Sequence, residues 1–99
     1  MSVGIHERRS EIDAIDEELI CLLNRRAQLA IEIGELKRVA GLPIYDGARE
    51  SDILTRLCQT NSGPLDAAAI TSLFQCIIRE TRTLEARMSA EADGETHNV

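Results

Sequence analysis

The stretch Ile12 to Val39, IDAIDEELICLLNRRAQLAIEIGELKRV, decides the fold. Read as a helix, it sets Ile12, Ile15, Leu19, Leu22, Leu29, Ile33 and Leu36 on one stripe, a seven-residue repeat with both seam positions filled. The repeat breaks once, at Arg26. A guanidinium inside a seam is strongly penalised by desolvation unless an anion meets it there, so its presence needs a reason. Lys37 follows eleven residues later, which is about 20° around a helix at ~100° per residue. The pattern predicts one long helix whose packing seam carries two cations.

Outward from this stretch, Ala40-Gly41-Leu42-Pro43 stops the helix: Gly41 suits a C-terminal cap and Pro43 cannot continue the turn. Gly34 interrupts a good helix former at a cost of ~1 kcal/mol, which predicts something packed closely against the backbone near Lys37. On the other side, Met1 to Ser10 is a polar lead-in whose later part joins the helix. Arg8 and Arg9 lie there, and two arginines in a first turn read by themselves as a solvated face. A helix from about Glu7 to Val39 would be roughly 50 Å long, whereas a compact globule of this size is about 33 Å across. Such a helix overhangs its own domain, and a second chain is expected to cover the excess.

Two shorter helices follow. The second is expected from Asp46, whose carboxylate can cap it, to about Gln59. Its apolar stripe of Ile53, Leu54 and Leu57 continues backwards onto Arg49, Glu50 and Asp46. For Arg49 an ordinary ion pair with a neighbour one turn away is as good a reading as a site role. Asn61-Ser62-Gly63-Pro64 is a turn, with Pro64 suited to open the third helix, expected from Leu65 to Met88. That helix has a stripe of Ile70, Leu73, Phe74, Ile77, Ile78 and Leu84, on which Thr81 and Glu85 also fall. A threonine there can bond back to the preceding turn, and a glutamate near a helix end can swing out to solvent. Residues 1–88 are therefore expected to form one helical domain, and Ser89 to Val99 is polar, unpatterned and expected to be frayed or disordered.

Composition agrees with an all-α chain. Among 99 residues there is one Tyr, one Phe and no Trp, while Ala, Leu, Ile, Glu and Arg dominate. A formal charge of −6 argues against nucleic acid and anionic membranes as partners. No apolar run approaches the ~20 residues of a membrane span, and the first ten residues lack the apolar core of a signal peptide, so a cytoplasmic protein is expected. Cys21, Cys58 and Cys76 show no ligand spacing and read as free packing thiols.

Each helix thus adds polar groups to an apolar stripe: Arg26 and Lys37 from the first, Asp46, Arg49 and Glu50 from the second, Thr81 and Glu85 from the third. There is no His-rich or Cys-rich cluster for a metal, no glycine-rich phosphate loop and no Ser-His or Cys-His arrangement. What remains is a cation-rich pocket in a helical bundle, suited to a small dicarboxylate held by arginine forks and transformed without a cofactor.

Arg9-x-x-Ile12-Asp13-x-Ile15-Asp16-x-x-Leu19, Leu22-Leu23-x-x-Arg26, Ile33-Gly34-x-x-Lys37, Pro43-x-x-Asp46-x-x-Arg49-Glu50 and Ile77-Ile78-x-x-Thr81-x-x-x-Glu85, in this order, resemble the all-helical (AroQ-type) chorismate mutases. The resemblance runs from about Arg9 to Met88. It implies three helices per chain, one long and two shorter, intertwined as a homodimer with two equivalent active sites. It also implies a cofactor-free rearrangement of chorismate to prephenate, on the way to phenylalanine and tyrosine.

Matched position by position, the resemblance implies that Arg26 and Arg9 hold the substrate carboxylates, with Arg9 supplied by the partner chain. Seventeen residues place these two about 100° apart around one helix, so one chain could hardly aim both into one pocket. Lys37 matches the lysine that bonds the ether oxygen and a carboxylate. Arg49 matches a further pocket arginine, Asp46 and Glu50 match groups near the substrate hydroxyl, and Thr81 matches a small hydroxyl residue lining the site. Glu85 matches the second donor to the ether oxygen, where many bacterial relatives have glutamine, although glutamate also occurs. Two alternatives stand beside this one: an isochorismate pyruvate-lyase with the same fold, and a non-catalytic dimerisation or regulatory module. With no dehydratase, dehydrogenase or synthase domain after the helices, a monofunctional chain is expected.

Overall fold

The computed structural model describes the backbone of residues 2–97 and the side chains of residues 4–92. Three helices follow one another: α1 (Ser2–Ala40), α2 (Gly47–Thr60) and α3 (Ala67–His97). The chain is therefore all-α, one long helix and two others, as the periodicity predicts.

The stops and starts follow local chemistry. At the end of α1, Leu42 N donates to Lys37 O at 2.8 Å and Gly41 N to Arg38 O at 3.2 Å, the paired bonds that close a helix around a left-handed residue. Gly41 supplies that residue, with φ of 72°. Asp46 caps α2, its Oδ1 accepting from Arg49 N at 3.0 Å. Asp66 does the same for α3, accepting from Ala69 N at 2.8 Å. The third helix thus opens after Asp66 and not at Pro64, because a carboxylate that satisfies a free N–H outweighs the preset φ of a proline.

Both outer helix ends lie beyond their expected positions. α1 begins at Ser2, so the polar lead-in is helical almost throughout. α3 continues past Met88 to His97, where a frayed or disordered tail is expected from sequence. An apolar pattern is not required to prolong an existing helix, since each added residue gains a bond without a new nucleus. Ala90, Glu91 and Ala92 are good helix formers and no proline intervenes. Residues 98 and 99 of that expected tail lie outside the described residues.

α3 is the common partner: it packs on α1 and on α2, while α1 and α2 do not pack on each other among the described residues. Contacts fix the directions. Arg26 meets Thr81 and Gly34 meets Glu85, so α1 and α3 run the same way. Glu50 meets Arg82 and Cys58 meets Thr71, so α2 runs opposite to α3.

The outcome is an elongated chain of 64 × 29 × 15 Å with a radius of gyration of 17.9 Å, against about 13 Å for a compact domain of this length. Ile53 is the one buried apolar side chain among the described residues. Every described residue from Gly4 to Arg25 is exposed, including Ile12, Ile15, Leu19 and Leu22 of the seam. Within one chain α1 packs only from Arg26 onward.

Candidate active site

Where α1, α2 and α3 converge they enclose a cleft of about 470 Å³. Its floor is apolar, with Leu29, Ala30, Ile33, Ile53 and Ile78, and its polar groups are Arg26, Lys37, Asp46, Arg49, Glu50, Thr81, Arg82 and Glu85. Seven of the eight site residues expected from sequence are therefore brought together. Arg9 is not: it is exposed on α1, seventeen residues before Arg26, or about 26 Å along the helix axis.

The two seam cations each have one polar tie. Arg26 Nη1 donates to Thr81 Oγ1 at 3.3 Å, and that hydroxyl donates onward to Ile77 O at 2.7 Å. Thr81 thus makes the expected back-bond to its own helix and also holds the guanidinium. Lys37 Nζ donates to Ile44 O at 3.0 Å. An ammonium has three donors, so this tie fixes the α1–α2 loop and leaves two N–H bonds for a ligand. Asp46 spends one oxygen on the cap of α2, and Arg49 lies exposed at the rim, 3.6 Å from Asp52.

Glu85 does not swing out to solvent. Its Cβ, Cγ and Oε2 lie about 3.5 Å from where a side-chain carbon on Gly34 would be, so the glycine in mid-helix is the seat of this carboxyl. Burial pushes the Glu85 carboxyl above its ordinary pKa, while Lys37 and then Arg26 pull it back. Both opposing cations belong to α1, the helix whose Gly34 seats the carboxyl.

Arg82 was not among the residues expected at the site. Its Nη1 donates to Glu50 Oε1 at 2.7 Å, and its guanidinium lies 5.1 Å from the centre of the Tyr45 ring. A signal was present, since Arg82 follows Ile78 by four residues and so borders the apolar stripe of α3. Its partner Glu50 is 32 residues away, which spacing alone does not reveal.

Four cations thus face three acids around an apolar floor, in a fold of three helices. The result is a helical cleft with one more cation than acid in its lining, a chemistry that suits a small anion. Residues 8–86 match the family model of chorismate mutase type II, and the chain belongs to that family. It is 39% identical over 88 residues to a bifunctional chorismate mutase/prephenate dehydratase of Aquifex aeolicus, covering 85% of this chain and 24% of the relative. With a protein of the same description from Escherichia coli it shares 43% over 74 residues, 74% of this chain and 19% of that one. The chain thus spans a quarter or less of the length of these curated relatives. A solved chorismate mutase of Thermus thermophilus superposes with a TM-score of 0.83 at 38% identity, over 84% of this chain and 94% of that one.

Among the described residues no three His, Cys, Asp or Glu side chains gather as a metal site. No described helix is long and apolar enough to cross a membrane.

Proposed function

We propose that this chain is a chorismate mutase, rearranging chorismate to prephenate without a cofactor, in a cleft that a second copy of the chain completes. The observation that carries the reading is the half-buried Glu85 carboxyl seated on Gly34 between Lys37 and Arg26. In this reaction an ether C–O bond breaks while a C–C bond forms within one molecule, and negative charge gathers on the ether oxygen. The protein has to hold the folded conformer and stabilise that charge. Lys37 and a protonated Glu85 are the two donors to the oxygen, Arg26 binds a carboxylate, and Glu50 and Asp46 receive the substrate hydroxyl. The partner subunit's Arg9 takes the remaining carboxylate, and Arg49 stands at the rim as a further pocket arginine.

The second copy is supported by the exposed face of α1. Ile5, Ile12, Ile15, Leu19, Ile20, Leu22 and Leu23 are each 41% to 60% exposed. Burying them would contribute roughly 1.5–3 kcal/mol for each side chain fully covered. A partner helix on that face would bring the partner subunit's Arg9 towards the cleft that its own chain cannot supply.

The direct test is incubation with chorismate and with isochorismate separately, followed by product identification. Prephenate from the first and no pyruvate from the second is expected. A thermal shift with a dicarboxylate mimic of the transition state separates enzyme from register device, because only a binding pocket is stabilised by it.

A pH dependence follows from Glu85. Only the protonated carboxyl can donate a hydrogen bond, so turnover should fall as pH rises through its elevated pKa. Folding follows the same sign: a carboxyl that holds its proton longer in the folded state contributes less stability as pH rises from the unfolded value through the folded one. Glu85→Gln keeps a donor at every pH. It should flatten the fall in rate and raise the melting temperature at neutral pH relative to wild type, as read from paired pH–rate and pH–melting profiles. Parallel profiles for the two proteins would show that Glu85 is not a neutral donor.

A further inference from the structure

Arg82 is engaged on two sides. Glu50 takes its Nη1 at 2.7 Å and the Tyr45 ring lies under the guanidinium at 5.1 Å. The Tyr45 ring, itself 62% exposed, lies so close to Gly47 that a side-chain carbon there would meet its hydroxyl at 2.7 Å. The glycine at the first turn of α2 thus leaves room for the ring beside it. The same loop is tied from the other side by Lys37 to Ile44 O. Arg82, Tyr45 and Gly47 form a brace on the α1–α2 loop, and its polar end grips a single oxygen, Oε1, of Glu50.

A glutamate side chain has three rotatable bonds, and an acceptor that is free to turn gives up entropy each time it binds a hydroxyl. The attraction between the guanidinium and the Tyr45 ring 5.1 Å away limits the freedom of the arginine that holds Glu50. Arg82 and Glu50 are also both half-buried, so their attraction is screened less than on an open surface.

We propose that Arg82 is a positioning residue that sets substrate specificity: it fixes Glu50 through Oε1 so that the carboxylate accepts from the substrate's ring hydroxyl. Arg82 acts through Glu50 and does not bind a substrate carboxylate, since its charge is already matched. The inference rests on the mutase reading and on the hydroxyl role of Glu50 within it.

The test compares wild type, Arg82→Ala, Arg82→Lys, Glu50→Ala and the double variant Arg82→Ala/Glu50→Ala, on chorismate and on its analogue lacking the ring hydroxyl. Arg82→Ala should lower kcat/KM on chorismate about tenfold, the range of one charge-assisted hydrogen bond. On the deoxy analogue the same variant should lose less than about twofold. The double variant should be no worse than Glu50→Ala alone, and Arg82→Lys should recover part of the loss on chorismate. Equal losses on both substrates, or additive losses in the double variant, would overturn the proposal by showing that Arg82 acts on the substrate directly or only on the fold. Melting profiles of every variant keep misfolding from passing as either result. A wild-type chain that turns over no chorismate overturns the mutase reading and this inference with it; an active wild type with equal losses overturns this inference alone.

Discussion

Replacing Lys37 by alanine is expected to lower kcat by about 10²- to 10³-fold, the loss typical of one donor aimed at a developing oxyanion. The ammonium is half-buried, tied to Ile44 O by one bond and beside the Glu85 carboxyl, so two of its donors and its charge face the cleft. The same substitution also releases the α1–α2 loop, and one lost hydrogen bond of this kind is worth about 1 kcal/mol of stability. The two effects separate in measurement. Loss of the loop tie moves the melting temperature and KM, whereas loss of the oxyanion donor moves kcat under saturating substrate. Arg8→Ala is the reference: its guanidinium is 74% exposed and paired to Glu11 one turn away at 2.7 Å, so a change of well under tenfold is expected there. Equal and small effects at both positions would reduce Lys37 to a fastener of the loop.

Sequence carried the framework of this site because its breaks are local violations of a strong pattern. Arg26 in a filled heptad seam, Gly34 in a run of helix formers, and Thr81 and Glu85 on the stripe of α3 each contradict their surroundings. The structure resolves these contradictions in pairs, with Thr81 holding Arg26 and Glu85 seated on Gly34. What could not be read was non-local or permissive. Arg82 only borders the α3 stripe, a weak signal, and its meaning lies in a carboxylate on another helix and a tyrosine in a loop. Asp66 was overshadowed by Pro64, although a capping carboxylate is the stronger start signal. The run of α3 beyond Met88 lacks an apolar stripe, and helix propagation does not need one. Arg9 differs from all of these. It is exposed on α1 about 26 Å along the axis from Arg26, so no spacing within one chain could bring it to the cleft.

Arg9→Ala and Arg26→Ala should each abolish most activity alone, and mixing the two inactive proteins should restore it. Arg9 lies about 26 Å from Arg26 along α1 and about 100° around it, so one chain does not aim both into one cleft, and the proposed dimer assigns them to different clefts. In a dimer with shared sites, the heterodimer has one cleft with Arg26 from the first chain and Arg9 from the second, both intact, while its other cleft lacks both. If subunits exchange freely at equal amounts, half of all dimers are mixed and about one quarter of all clefts become whole. Recovery should therefore approach about one quarter of the wild-type rate and no more. The exposed seam of α1 makes subunit exchange a matter of apolar surface, so mass spectrometry of differently tagged chains should follow mixing in step with activity. Mixing either variant with a tagged copy of itself should recover nothing. Proven exchange without recovery would mean that Arg9 and Arg26 serve the same cleft, or that Arg9 serves none, and the shared site would have to be abandoned.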